Sequence, residues 1–299
     1  MHGIIAILAA VSLLSFSDAL VKMSGDSFGL AQLVLLRSTV AALLLAAWLL
    51  PIHGRSSLCL TRRGWVWARS LCLAAMWLSY YAALPAMSFA LAAACYYTAP
   101  AWMALLGRVL LGMTIGGRGW TAVALSLAGV LLAVSPSADT FTPMLLLPLA
   151  AAAFYALAGL ITWSRCRAES PGAMALTLNL CLVCVAAAAL LPLSLFRPGG
   201  TESFVLAFWP RLTLADWSLA FVLGCLLAVI ATAVATAYRV APTPVVGVCD
   251  TAYLGFAAVW GVIFFGDIPT AWEALGIALI ACSAILMSAR RQERKDHDC

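Results

Sequence analysis

Charge is what this chain of 299 residues has least of, with only 10% Asp, Glu, Lys or Arg. Soluble domains carry about a quarter, because their surfaces face water, so a water-facing fold is excluded. Histidine is almost missing as well. The three present are His2, His53 and His297, at a terminus, in a loop and near the end. That excludes zinc proteolysis by an H-E-x-x-H helix, serine–histidine hydrolysis and bis-histidine haem inside the apolar runs. Neither G-x-x-x-x-G-K-S/T nor G-x-G-x-x-G is present, so ATP-driven pumping by this chain alone is excluded. An aspartyl dyad would need Asp18 with Asp250, and neither stands in a familiar signature. No enzyme chemistry, cofactor or metal site is expected.

What the chain has instead is apolar length: 65% of its residues are hydrophobic. A helix needs about 20 apolar residues to cross a bilayer, whereas a barrel strand shows about ten alternating ones. The runs here are long, unbroken and rich in Leu and Ala. The fold class expected is all-α integral membrane, with ten transmembrane helices. The first five fall near Gly3–Lys22, Gly29–Leu50, Trp65–Leu84, Met87–Leu111 and Gly119–Ser135. The second five fall near Met144–Ser164, Ala173–Phe196, Ala215–Tyr238, Thr243–Phe265 and Trp272–Ser288. Turn chemistry separates them at Gly54, Gly116-Gly117, Pro136, Pro171-Gly172, Pro198-Gly199-Gly200 and Pro269. The first run is expected to stay in place, since Met1-His2 offers no basic n-region and no clean A-x-A site follows.

Positive charge orients these spans. With both termini cytoplasmic, the inner loops and tail hold Arg55, Arg62, Arg63, Arg69, Arg108, Arg118, Arg165, Arg167, Arg239, Arg290, Arg291, Arg294 and Lys295. The outer loops hold Lys22, Arg197 and Arg211, and Arg37 lies within a span. Such a bias is the positive-inside signature, and it reads as a multi-pass inner-membrane protein. The net charge of +5 is then topology, and no nucleic-acid partner is implied. The ten cysteines are scattered. Cys181-x-x-Cys184 sits mid-helix in lipid, so these read as packing residues and not as a redox pair.

Ten spans divide as five and five. Residues 1–137 are expected to form one five-helix half, residues 143–289 the other, and residues 290–299 a cytoplasmic tail. An odd number per half makes the two insert with opposite topology, the inverted-repeat plan of many secondary transporters. An ungapped shift of 154 positions aligns Cys95 with Cys249, Ala104 with Ala258, Gly107 with Gly261 and Gly112 with Gly266. The chance background in Ala- and Leu-rich helices is high. The shared register of helix, glycine end, short loop and helix carries more than the identities.

Several short motifs sit in matching places. They are Arg37-Ser38-Thr39-Val40-Ala41, Ala83-Leu84-Pro85-Ala86-Met87-Ser88, Thr98-Ala99-Pro100 and Gly112 in the first half. Ala237-Tyr238-Arg239-Val240-Ala241-Pro242 and Gly266-Asp267 follow in the second. Through them the whole chain resembles the EamA-type transporters of the drug/metabolite transporter superfamily, and within it the aromatic amino-acid exporter branch. The resemblance implies ten helices in two inverted repeats, a small-molecule cargo and the direction of export. Where that family usually has Gly-Glu, this chain has Gly112-Met113 and Gly266-Asp267. The counterpart of Pro100 is Leu254, so a symmetric mechanism is less well supported than the fold.

Ionisable groups in lipid are functional suspects, since burying one is costly unless it is paired or faces a cavity. At 1.5 Å per residue, Asp18 lies about 9 Å and Arg37 about 13 Å in from the outer ends of their spans. An Asp18–Arg37 ion pair would lock spans one and two; alternatively, Arg37 would receive a substrate carboxylate. Asp250 adjoins a stripe of Gly247, Thr251 and Gly255. It either bonds within a helix contact or forms a cavity wall that meets an amino group or a proton. Pro100 should free the carbonyl of Tyr96 and kink span four. Trp77, Tyr80, Tyr81, Tyr96, Tyr97, Thr98 and Trp102 lie near that depth; Tyr155 and Trp163 of span six are expected to face the same space, with Trp163 alternatively in the interfacial belt. They either pack against neighbouring helices or line a largely apolar pocket.

The expected substrate-binding set is Ser17, Trp77, Tyr80, Tyr81, Tyr97, Thr98, Trp102, Trp163, Asp250 and Tyr253, with Asp18, Arg37 and Pro100 in structural or coupling roles. The expected activity is alternating-access export of amino acids with aromatic or other neutral side chains. Export of another metabolite, such as a nucleoside or a quaternary amine, stays open, and so does an enzyme acting on a lipid-borne substrate. The partners expected are the cargo, membrane lipid and coupling protons, for a monomer or weak oligomer.

Overall fold

The computed structural model describes residues 2–53, 60–133, 143–196, 204–240 and 249–296. Among them the regular elements are helical. The first half carries α1 (His2–Met23), α2 (Leu30–His53), α3 (Arg63–Ala83), α4 (Phe89–Tyr96), α5 (Ala99–Leu111) and α6 (Gly117–Ala133). Then come α7 (Leu146–Arg165), α8 (Pro171–Phe196), α9 (Leu214–Val240), α10 (Ala252–Phe265) and α11 (Ala271–Asp296). Among the described residues six stretches are long and apolar enough to cross a membrane: Ile5–Met23, Leu30–Pro51, Phe89–Leu111, Pro143–Arg165, Pro171–Leu195 and Leu214–Ala231. α6, α10 and Ala271–Leu286 within α11 are apolar but shorter. α3 has the length, yet Arg63 and Arg69 occupy its first two turns. The chain is a multi-pass membrane protein.

Each expected apolar segment coincides with a helix, with three departures. The fourth is two helices, α4 and α5, separated at Tyr97-Thr98. The ninth begins among residues 243–248, which lie outside the described residues, as do Gly54, Pro136 and Pro198-Gly199-Gly200. The last helix runs through Arg290 to Asp296, so the expected tail continues α11.

Local sequence explains the helix ends. Ser88 caps α4 by accepting from the Leu91 amide at 3.3 Å. Before α9, the Thr213 amide donates to Asp216 at 2.8 Å while the Asp216 amide donates to the Thr213 hydroxyl at 3.3 Å. Thr270 and Glu273 repeat that capping box before α11. α5 and α10 both end on a left-handed glycine, Gly112 (φ +63°) and Gly266 (φ +67°). The amide after each glycine reaches back six residues, Met113 to Gly107 at 3.2 Å and Asp267 to Gly261 at 3.1 Å. These are glycine C-caps, whose left-handed backbone a residue with a Cβ adopts only under strain. The two glycines are the pair that the 154-residue shift aligns.

Packing then sets the neighbours. α1 lies against α9 and α10, and α3 against α7 and α8. α2 packs on α8 and α9, α5 on α7, α4 on α10, and α6 on α11. The last contact is backbone to backbone: a Cβ on Gly276 would stand 2.5 Å from the Gly129 carbonyl oxygen. Further along the same pair, the Ser283 hydroxyl donates to the Ala122 carbonyl at 2.7 Å. Residues 204–213, which lead into α9, are docked, because the Leu30 amide donates to the Phe204 carbonyl and the Gln32 side chain to that of Pro210.

Candidate functional site

Two interrupted helical runs meet within the buried core. α4 stops at Tyr96, and α5 restarts at Ala99 with Pro100 in its first turn. Pro100 therefore opens a new helix, where its missing amide costs nothing, instead of kinking a continuous one as expected. The Thr98 hydroxyl turns back onto the Cys95 carbonyl at 2.7 Å, so its hydrogen is committed to the break itself. The other span is helical at Cys249-Asp250, interrupted at Thr251, and helical again from Ala252. Thr251 is the counterpart of Tyr97 in the 154-residue shift. No proline warns of this second break, since Leu254 stands where the first half has Pro100. Its one trace is the polar pair Asp250-Thr251 within an apolar run.

Tyr97 closes one break onto the other. Its hydroxyl lies 3.0 Å from the Asp250 main-chain carbonyl and 3.3 Å from a carboxylate oxygen of the same residue. The carbonyl is one the interrupted helix leaves without its usual partner, and in lipid such a group must be met from elsewhere. Beside this bond the Tyr97 ring stacks on Tyr253, with centroids 5.3 Å apart and planes at 24°. Tyr96 touches Tyr80 at 5.3 Å, Tyr97 at 5.7 Å and Tyr155 at 5.6 Å between centroids.

Asp18 is the hub of the adjoining polar network. One carboxylate oxygen accepts from Tyr81 at 3.0 Å and the other from Tyr253 at 2.6 Å. Tyr253 and Tyr80 share a further hydrogen bond at 3.1 Å. The Arg37 Nη1 donates to the Tyr81 hydroxyl at 2.5 Å, and its guanidinium carbon lies 4.6 Å from the Tyr81 ring centroid and 5.1 Å from that of Trp77. Asp18 and Arg37 are 2% and 1% exposed.

The direct Asp18–Arg37 ion pair expected from the sequence is not formed. The Tyr81 phenol stands between the two and bonds both. Helical depth brought the pair to one level, but a side chain of α3 occupies the space between α1 and α2. Lys22 instead forms an ion pair with Asp267, at 3.4 Å. Lys22 also donates to the Met87 carbonyl at 2.7 Å and lies 4.6 Å from the Phe265 ring. Its signal in the sequence was that Asp267 follows the glycine where the first half has Met113. At the opposite end of the bundle, Glu169 accepts from the Thr61 and Arg62 amides, and Arg69 donates to Thr162.

Trp77, Tyr80, Tyr81, Tyr97, Tyr253 and Asp250 of the expected binding set thus come together, with Asp18 and Arg37. Ser17 is buried next to Asp18 in sequence. Trp102 is half-buried on α5, one turn beyond Thr98. Trp163 does not join them: it is 47% exposed near the end of α7, among the residues of an interfacial belt. Tyr96 and Tyr155 complete the ring cluster. Cys181 and Cys184 are free thiols within α8. Among the described residues no three His, Cys, Asp or Glu side chains gather in a way that would hold a metal.

Comparison with known proteins adds three findings. Residues 1–135 match the EamA-like transporter family. The chain is 29% identical over 254 residues to a riboflavin transporter of Rhizobium johnstonii, a match covering 82% of this chain and 78% of that protein. A crystal structure 20% identical in sequence superposes with a TM-score of 0.64 over 95% of this chain and 96% of the other, a likeness of fold alone.

Proposed function

We propose that this chain is a member of the EamA-like transporter family, which its residues 1–135 match and whose members carry small metabolites. On that premise we propose a secondary transporter that exports amino acids with aromatic side chains by alternating access. The observation that carries this reading is the tyrosine cluster at the two helix breaks. It offers ring faces from α3, α4, α7 and α10 and polar ends at Asp18, Arg37 and Asp250. A mostly apolar site with a few converging polar groups suits a zwitterion with an aromatic side chain. Discontinuous helices meeting near the midplane are where transporters hold cargo.

In this reading residues 1–137 and 143–289 form two inverted five-helix halves with both termini cytoplasmic in the inner membrane. The packing supports it. Under the exchange of halves, α1 on α9 maps to α7 on α3, α2 on α9 to α8 on α3, and α1 on α10 to α7 on α5. Breaks at Tyr97 and Thr251, and left-handed glycines at Gly112 and Gly266, obey the same exchange. Asp250 is the coupling carboxylate and a proton the coupling ion. Flavin export is the second reading, favoured by the riboflavin transporter among the relatives.

The test is flux into liposomes holding the purified protein, with labelled Phe, Trp, Met, Thr, riboflavin, a nucleoside and a sugar. Saturable Phe or Trp flux, lowered about tenfold in Tyr97→Phe, is expected from the loss of a bond to a buried acceptor. Riboflavin flux without amino-acid flux moves the conclusion to the second reading. An imposed pH gradient should change wild-type flux and leave Asp250→Asn indifferent, and indifference in both removes the proton.

A further inference from the structure

The two ionisable groups of the central network are not equally satisfied. Both carboxylate oxygens of Asp18 receive phenol hydroxyls. Arg37 spends only Nη1, on Tyr81, while among the described residues its Nε and Nη2 are buried with no hydrogen-bond partner. Those two are not an arbitrary pair. Nη1 is the nitrogen on the side of Cδ, so the N–H of Nε and one N–H of Nη2 point the same way along the opposite edge. This edge is the fork that takes a carboxylate through two parallel bonds. Two buried cationic donors without acceptors are costly, and the indole of Trp77 and the phenol of Tyr81 beside the guanidinium offer no oxyanion of their own.

We infer that the Nε/Nη2 edge of Arg37 is the seat of the cargo's carboxylate. The inference rests on the reading of the chain as a transporter of aromatic amino acids, and it makes Arg37 a substrate-binding residue. A carboxylate fits better than a phosphate. One guanidinium balances one negative charge, and the Asp18 carboxylate, two hydrogen bonds away through Tyr81, would oppose a dianion. With Trp77 and Tyr81 flanking the fork, the seat selects a carboxylate borne close to an aromatic ring.

The experiment compares ligands that differ only in that group, on purified wild-type protein, by tryptophan fluorescence and thermal stability. The pairs are phenylalanine with phenylalaninamide, benzoate with benzamide, and flavin mononucleotide with riboflavin. A preference of about tenfold for each carboxylate over its amide is expected, the worth of one charge-assisted pair, with no matching preference for the phosphate. Arg37→Lys keeps the charge but loses the fork, and should shrink the preference to about threefold or less. Equal affinity for carboxylate and amide in the wild type overturns the inference, and this arm needs no variant to fold. Aromatic flux with no carboxylate preference removes the fork and leaves the transport reading standing. A benzoate preference without amino-acid flux does the reverse, and tighter binding of the mononucleotide than of the carboxylates assigns the seat to phosphate and overturns the inference.

Discussion

The hairpin of α4, α5 and α6 and the hairpin of Cys249-Asp250, α10 and α11 are built to one plan from different residues. Both are interrupted at the same register, both close on a left-handed glycine, and both run into a helix that packs against its counterpart. Yet proline opens α5 and has Leu254 at its counterpart in α10. Asp267 holds Lys22 at one end, where Met113 stands at the other. Even the contact of α6 with α11 is uneven, since Gly129 meets Gly276 where the related positions pair Ser283 with Ala122. The difference teaches that the break belongs to the architecture and not to proline. Backbone geometry is shared between the hairpins, and chemistry is divided between them.

Five substitutions test how far this kinship goes. Gly276→Leu drives a side chain into the Gly129 backbone and should cost about 3 kcal/mol by overpacking. Ser283→Ala at the related contact should cost only about 1 kcal/mol, the net worth of one hydrogen bond. Thermal unfolding in detergent measures both, and equal losses would mean that the glycine contact is no tighter than its relative. Next, Gly112→Ala and Gly266→Ala should each lose about 1–2 kcal/mol, since each forces a Cβ into left-handed backbone. Clearly unequal losses in the same assay would show that one closure bears less strain. Smallest of all, Pro100→Leu makes the first break resemble the second. It should cost about 0.4–1 kcal/mol, through the freer unfolded chain alone, with flux retained. A collapse of flux would return the proline to a leading role.

Much of this was legible beforehand, for identifiable reasons. Periodicity and length located the helices because lipid demands continuous apolar runs, and the rule applies residue by residue. Gly112 and Gly266 announced their own ends. The tyrosines of α3 and α4 were suspect because aromatic rings with hydroxyls lie too deep for the interfacial belt. What the sequence hid was relational. That Tyr81 would stand between Asp18 and Arg37 depends on how α3 rotates against α1 and α2, which no pattern within α3 encodes. The break at Thr251 has no breaker residue, and it persists because Tyr97, far away in sequence, receives the loosened carbonyl. Trp163 carried the same letters as a cluster member, and only its place on α7 sends it outward.

The bond from Tyr97 to Asp250 has a kinematic consequence. It pins two jointed rods at their joints, so four half-spans share one rivet. Swinging α5 away from α7 drags the rivet, and with it the end of the segment leading into α10, unless the phenol lets go. One end of the bundle therefore does not flex in isolation from the other while that bond holds. The hydroxyl works as a clutch: engaged, it gears the two rods together, and disengaged, it leaves each to turn alone.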